Sequence, residues 1–244
     1  VGKKILGLIV LVTFFSKQLC AVGLITQFVL GKEYLKQETT FSQKDKNAFL
    51  LGVWFPGIWY VSKECKERCL ESCSFDAIHQ ESDPFKKGVL FNQFLHTLEG
   101  QYFYESYFSQ ILDKTPFEIK ECYLNILEDL IFCADPQVEE AKKLANETLF
   151  IDFDIENFSK QHSKADMINW YFTIFISIST PPLLIPEEIS TNNRYKGLGV
   201  NLELTQEILA QAKELLPTLA SDEKILELLN DFILCTKHLI EEGE

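Results

Sequence analysis

The segment from Phe85 to Leu112 carries two different surfaces at a single helical spacing. Phe91, Phe94, Leu95, Leu98 and Tyr102 fall at i, i+3, i+4, i+7 and i+11, an apolar stripe that an α-helix gathers onto one side. Asp83-Pro84 precedes the segment, and proline suits the first helical position, where its missing N–H leaves nothing unsatisfied. Such a helix is roughly 40 Å long at 1.5 Å per residue. It needs neighbours along that length, so it is the expected axis of a bundle.

The rest of the chain has the same period. Leu24 to Lys36 reads as a helix, and Ser42, with Asp45 in the turn that follows, predicts the start of another that Pro56-Gly57 stops. Lys63 to Ser72, Glu118 to Cys133, Pro136 to Thr148 and Asp154 to Ser177 are further helical stretches. Leu204, Ile208, Leu215 and Leu219 mark one late helix; Ile225, Leu228, Leu229, Phe232 and Leu239 mark the last. Pro186 to Gly199 is the expected loop. The apolar run Met167 to Thr180 has fourteen residues, the length of a buried core helix rather than a membrane span. No segment alternates as a strand would. The expected fold is all-α, a single-domain multi-helix bundle around a long central helix.

Residues 1–21 read as a secretory signal peptide and 22–244 as the helical domain. Lys3 and Lys4 precede the apolar run Ile5 to Phe15, which is too short to span a bilayer, and Leu19-Cys20-Ala21 follows a polar break. The cut falls after Ala21 or after Gly23. The expected location is therefore exported, periplasmic or secreted. Removal of Lys3, Lys4 and Lys17 takes the net charge from −13 to −16, so the chain does not point to a duplex nucleic acid as partner. Removal of Cys20 takes seven cysteines to six, an even number suited to disulfides in an oxidising compartment.

Short catalytic signatures are absent: the sequence has no Walker loop, no G-x-G-x-x-G, no G-x-S-x-G and no H-E-x-x-H. Three constellations remain. Cys65, Cys69 and Cys73 share a helix face, either with His79 as zinc ligands or as partners of Cys122, Cys133 and Cys235 in disulfides or packing. Asn92, His96, Glu99 and Phe103 form a second face of the long helix, roughly 110° from its apolar stripe. Facing inward, that strip stands where bundles build metal sites; facing outward, it is a solvated flank. His162 and Asp166, one turn apart, either share a divalent metal or make a surface contact.

Three strings give the chain a family likeness: VGLITQ from Val22, FLLGVWFPGI from Phe49 to Ile58, and DPFKKGVLFNQFLH from Asp83 to His96. In this order they resemble the zinc-dependent phospholipase C and single-strand nuclease superfamily, over roughly the first 110 residues. The resemblance implies an exported, all-helical scaffold built around a three-zinc cluster. It also implies that most ligands are gone. Val22 stands where the family has its N-terminal tryptophan, Gln27 where it has its first histidine, and Gly57 where it has the aspartate of F-P-D-I. Asn92 and His96 stand for the H-x-x-x-D pair. His96, with His162 and Asp166, is what remains for a metal.

The expected function is that of an exported helical protein on this scaffold, catalytically inactive and acting by binding a protein or a lipid or phosphate-ester ligand. It needs no cofactor, and zinc is the metal to look for. The alternative is a metal-dependent phosphodiester hydrolase with a reduced or rebuilt site.

Overall fold

Asp83 and Pro84 begin the long helix as their positions predict. Asp83 Oδ1 accepts the Lys86 N–H at 3.0 Å, capping the first turn. The structure is a computed structural model. It describes residues 23–56, 73–103, 127–129, 131–132, 136–148 and 217–243, with Met167, Trp170 and Ile174. The described elements are α1 (Leu24–Tyr34), α2 (Gln43–Trp54), α3 (Phe75–Gln80), α4 (Pro84–Phe103), α5 (Gln137–Thr148) and α6 (Glu223–Glu242). Residues 127–129 and 217–219 are helical as well, and no strand occurs among the described residues. The fold is all-α.

Local chemistry accounts for the element ends. Ser42 and Asp45 form a reciprocal capping box at the start of α2: the Asp45 N–H donates to Ser42 Oγ, and the Ser42 N–H donates to Asp45 Oδ2 at 3.0 Å. The bonds from Ser42 hold the Asp45 carboxyl below its usual range. Replacing Ser42 by alanine is expected to cost about 1 kcal/mol of stability, read by urea denaturation at pH 7. An unchanged midpoint would show that the box contributes nothing. α1 ends at Tyr34 rather than at Lys36, because Lys36 and Gln37 donate to the carbonyls of Glu33 and Tyr34 and tighten the last turn. α3 is a helix that the periodicity does not reveal. It is a short piece started by Ser74, whose hydroxyl accepts the Ala77 N–H.

α4 packs against α1, α2, α3 and α6, and its closest partner is α2. Phe91 and Leu95 from its apolar stripe are fully buried, and Phe94 is nearly so. Tyr34 stacks on Phe49 at 5.1 Å and leans on Phe91 at 5.2 Å, joining α1, α2 and α4 in one aromatic nest. Its hydroxyl donates to Glu38 Oε1, which also accepts from the buried Lys87 ammonium at 2.7 Å. Burial would raise the Glu38 pKa, but the bonds from Lys87 and Tyr34 hold it below the usual carboxylate range. Burial and then the bond to Glu38 push the Tyr34 phenol far up. At the α2–α4 crossing the backbones touch. A Cβ on Gly52 would lie 2.0 Å from the Phe85 carbonyl oxygen, and one on Gly88 would lie 2.0 Å from that of Phe49.

Of the remaining expectations, Ile225, Leu229 and Phe232 are buried on α6 as its stripe predicts. Cys73 and Cys235 are not bridged. Cys73 is half-buried, with its thiol 3.4 Å from the Ser74 carbonyl oxygen, and Cys235 is exposed on α6. The disulfide expectation therefore does not extend to these two. Cys65, Cys69, Cys122 and Cys133 lie outside the described residues, as do the stretch Lys63 to Ser72 and the loop Pro186 to Gly199.

Candidate functional site: a buried carboxylate cluster at the start of α1

The first turn of a helix has N–H groups that no residue within the helix can satisfy. α1 begins at Gly23, which has no side chain to cap them. The partners come from more than a hundred residues away. Asp129 Oδ1 accepts the N–H groups of Ile25 and Thr26, each at 3.0 Å, and the Thr26 hydroxyl at 3.3 Å. Glu128 Oε2 accepts the Gly23 N–H at 2.9 Å. Negative charge at this end of a helix is also favoured by the aligned peptide dipoles.

Both acids are deeply buried, Glu128 completely and Asp129 with 6% of its surface exposed. Burial pushes the Asp129 carboxyl up to about 7, although the bonds from Thr26, Ile25 and Leu24 act in the opposite direction. Burial pushes Glu128 well above the carboxylate range, and the negative charge of Glu99 adds to the rise; the Gly23 N–H offsets only part of it. Glu128 Oε1 is fully buried and has no hydrogen-bond partner among the described residues. Glu99 itself is buried on α4 and holds His96, whose Nδ1 is 3.3 Å from Glu99 Oε2.

An aromatic wall closes this end of α1. Trp54 Nε1 donates to the Leu24 carbonyl at 3.0 Å, and Trp170 Nε1 donates to the Trp54 carbonyl at 3.2 Å. The Trp54 ring stacks on Phe28 with centroids 5.6 Å apart. Water is therefore kept from the carboxylates, which strengthens whatever positive group meets them.

The expected site residues are placed as follows. The second face of α4 points inward: Asn92, Glu99 and Phe103 are buried, and His96 is half-buried. Gln27 is buried on α1, in the turn that Asp129 caps. The Asn92 Oδ1 atom is buried with no partner among the described residues. His162, Asp166, Val22 and Gly57 lie outside the described residues. His79 is exposed on α3 with its ring against Phe75 at 4.9 Å, and burial raises the pKa of the Cys73 thiol. Glu128 and Asp129 escaped the sequence reading. Their signal is two adjacent acids inside an apolar run, Ile126-Leu127 before them and Leu130-Ile131-Phe132 after.

Among the described residues, no group of three or more His, Cys, Asp or Glu side chains is placed to hold a metal ion. No described helix is long and apolar enough to cross a membrane.

No family model, no curated protein and no solved structure matches this chain.

Proposed function

We propose that this chain is an exported helical protein whose scaffold resembles the zinc-dependent phospholipase C and nuclease superfamily, and that it acts by binding rather than by hydrolysis. The observation that supports this reading is how the carboxylates are used. Asp129 gives one oxygen to three donors of α1, and Glu128 gives one to Gly23. One oxygen of each carboxylate is thus taken up in capping the helix. Two positions where the likeness has a histidine ligand carry the buried amides Gln27 and Asn92, which are poor zinc ligands next to imidazole. The described donors therefore do not fit a three-zinc cluster. Of the residues left for a metal, His96 is engaged with Glu99, and His162 and Asp166 lie outside the described residues.

The test is a metal assay and a rate assay on the purified exported chain. The expected result is less than one zinc per chain and no chelator-sensitive hydrolysis of a model phosphodiester. His96→Ala should leave that null rate unchanged. Stoichiometric zinc, with chelator-sensitive turnover that His96→Ala abolishes in a folded protein, would instead establish the reduced-site hydrolase.

A further inference from the structure

We propose that Asn146, near the end of α5, is an attachment site for an N-linked oligosaccharide. The inference rests on the export reading above, because the sugar is added in a secretory compartment. The donor is an oligosaccharide on a lipid pyrophosphate, and the catalyst is a membrane-bound transferase. The Asn146 amide nitrogen forms a bond to the anomeric carbon of the first sugar. The bond from that carbon to the pyrophosphate oxygen breaks, the lipid pyrophosphate leaves with its electron pair, and the nitrogen gives up one proton.

Two observations carry it. The first is the residue pattern. Asn146-Glu147-Thr148 is an Asn-x-Thr acceptor with no proline at its centre. Among the described asparagines the pattern occurs at this position alone: two residues after Asn47, Asn92 and Asn230 stand Phe49, Phe94 and Phe232, none of which has a hydroxyl. The second is the placement of Asn146 in the fold. Glu139, Lys143 and Asn146 are exposed at i, i+4 and i+7, which is the outward face of α5. Val138, Ala141, Leu144 and Ala145 are buried and form its inward face. A glycan on Asn146 therefore projects into solvent and displaces no core atom. Asn92, buried on α4, could not carry one.

The helix also orders the events. Residues i and i+2 of an α-helix do not face each other, so the asparagine amide and the hydroxyl two residues on meet only in a looped chain. Transfer therefore precedes the folding of α5. Once attached, the glycan covers the outward face of α5, and a protein partner docks elsewhere. Asn157-Phe158-Ser159 has the same pattern and lies outside the described residues.

The experiment expresses the full chain in a eukaryotic secretory cell, once with its own leader and once with a borrowed leader in place of residues 1–21. The recovered protein is treated with an amidase that frees N-linked glycans, and its peptides are weighed. The expected result is a glycan lost on treatment and an aspartate left at position 146. Asn146→Gln and Thr148→Ala should each remove that glycan completely, and Thr148→Ser should keep it. Asn146→Gln should melt within about 2 °C of the amidase-treated chain, as an exposed substitution does. If Asn146→Gln does not fold, the aspartate at 146 in the unsubstituted chain reads the attachment directly. A chain carried into the compartment by the borrowed leader with Asn146 bare overturns the acceptor site, and so does a glycan confined to Asn157. A glycan on Asn146 with the borrowed leader and none with the chain's own overturns the export reading, and the modification with it.

Discussion

Replacing Gly88 by alanine is expected to lower the melting temperature by about 10 °C, equivalent to a loss of about 3 kcal/mol. Helix propensity argues the other way, since alanine is better than glycine in a helix by about 1 kcal/mol. The crossing decides. The new Cβ would lie 2.0 Å from the Phe49 carbonyl oxygen and 2.8 Å from the Val53 nitrogen, and both are backbone atoms held in α2. Neither can swing aside, so the two helices must separate and open the aromatic nest of Tyr34, Phe49 and Phe91. Gly52→Ala meets the Phe85 carbonyl oxygen at the same 2.0 Å and should behave alike. Gly31→Ala is the control, because its Cβ would meet the end of the Leu50 side chain at 3.1 Å, which a small rotation relieves. Thermal unfolding followed by circular dichroism measures all three. Gly88→Ala melting with the unsubstituted chain would mean that α2 and α4 do not cross at these glycines.

A fall in stability between about pH 4 and pH 7 is the second expected result. The Asp129 carboxyl has an ordinary value of 3.8 when exposed and about 7 in the fold. The folded state thus holds this proton more tightly than the unfolded chain does. The stability the proton confers is complete below the unfolded value and is lost as pH rises through the folded one, amounting to about 4 kcal/mol. Glu128, raised by burial and by Glu99, acts in the same direction. Glu38 and Asp45 act oppositely: their folded values are depressed, so their stability is lost as the pH falls below the ordinary carboxylate range. A stability maximum near pH 4 follows. Urea midpoints from pH 4 to pH 8 measure it. Asp129→Asn, which keeps an acceptor for the α1 donors but cannot ionise, should flatten the decline. Asp129→Ala should cost about 3 kcal/mol or more at any pH, because it strands the N–H groups of Ile25 and Thr26. Stability that climbs steadily from pH 5 to pH 7 would show that Asp129 is ionised in the fold.

The helices were readable because their causes are local. The Ser42–Asp45 box joins groups three residues apart, and the stripe of Phe91, Phe94 and Leu95 repeats every turn, so neither needs knowledge of the rest of the chain. The short helix Phe75–Gln80 was missed because it spans too few turns to show a period.

The site was readable only in part. The sequence placed Asn92, His96 and Glu99 on one face of a helix, and that much is covalent geometry. It could not say whether the face met solvent or the core, because a polar strip satisfies either until its partners are known. Glu128, which lies near Glu99, and Asp129 are drawn to Gly23, Ile25 and Thr26 by the unmet N–H groups of α1. Gly52 and Gly88 carry no local signal either; their need for a missing side chain exists only once two backbones touch. The sequence by itself thus determined the helical class, the caps and the stripes, all of which arise within a few residues along the chain. The tertiary structure alone decided which polar face is buried, which acids cap α1 and where α2 meets α4, because each depends on groups that only folding brings together.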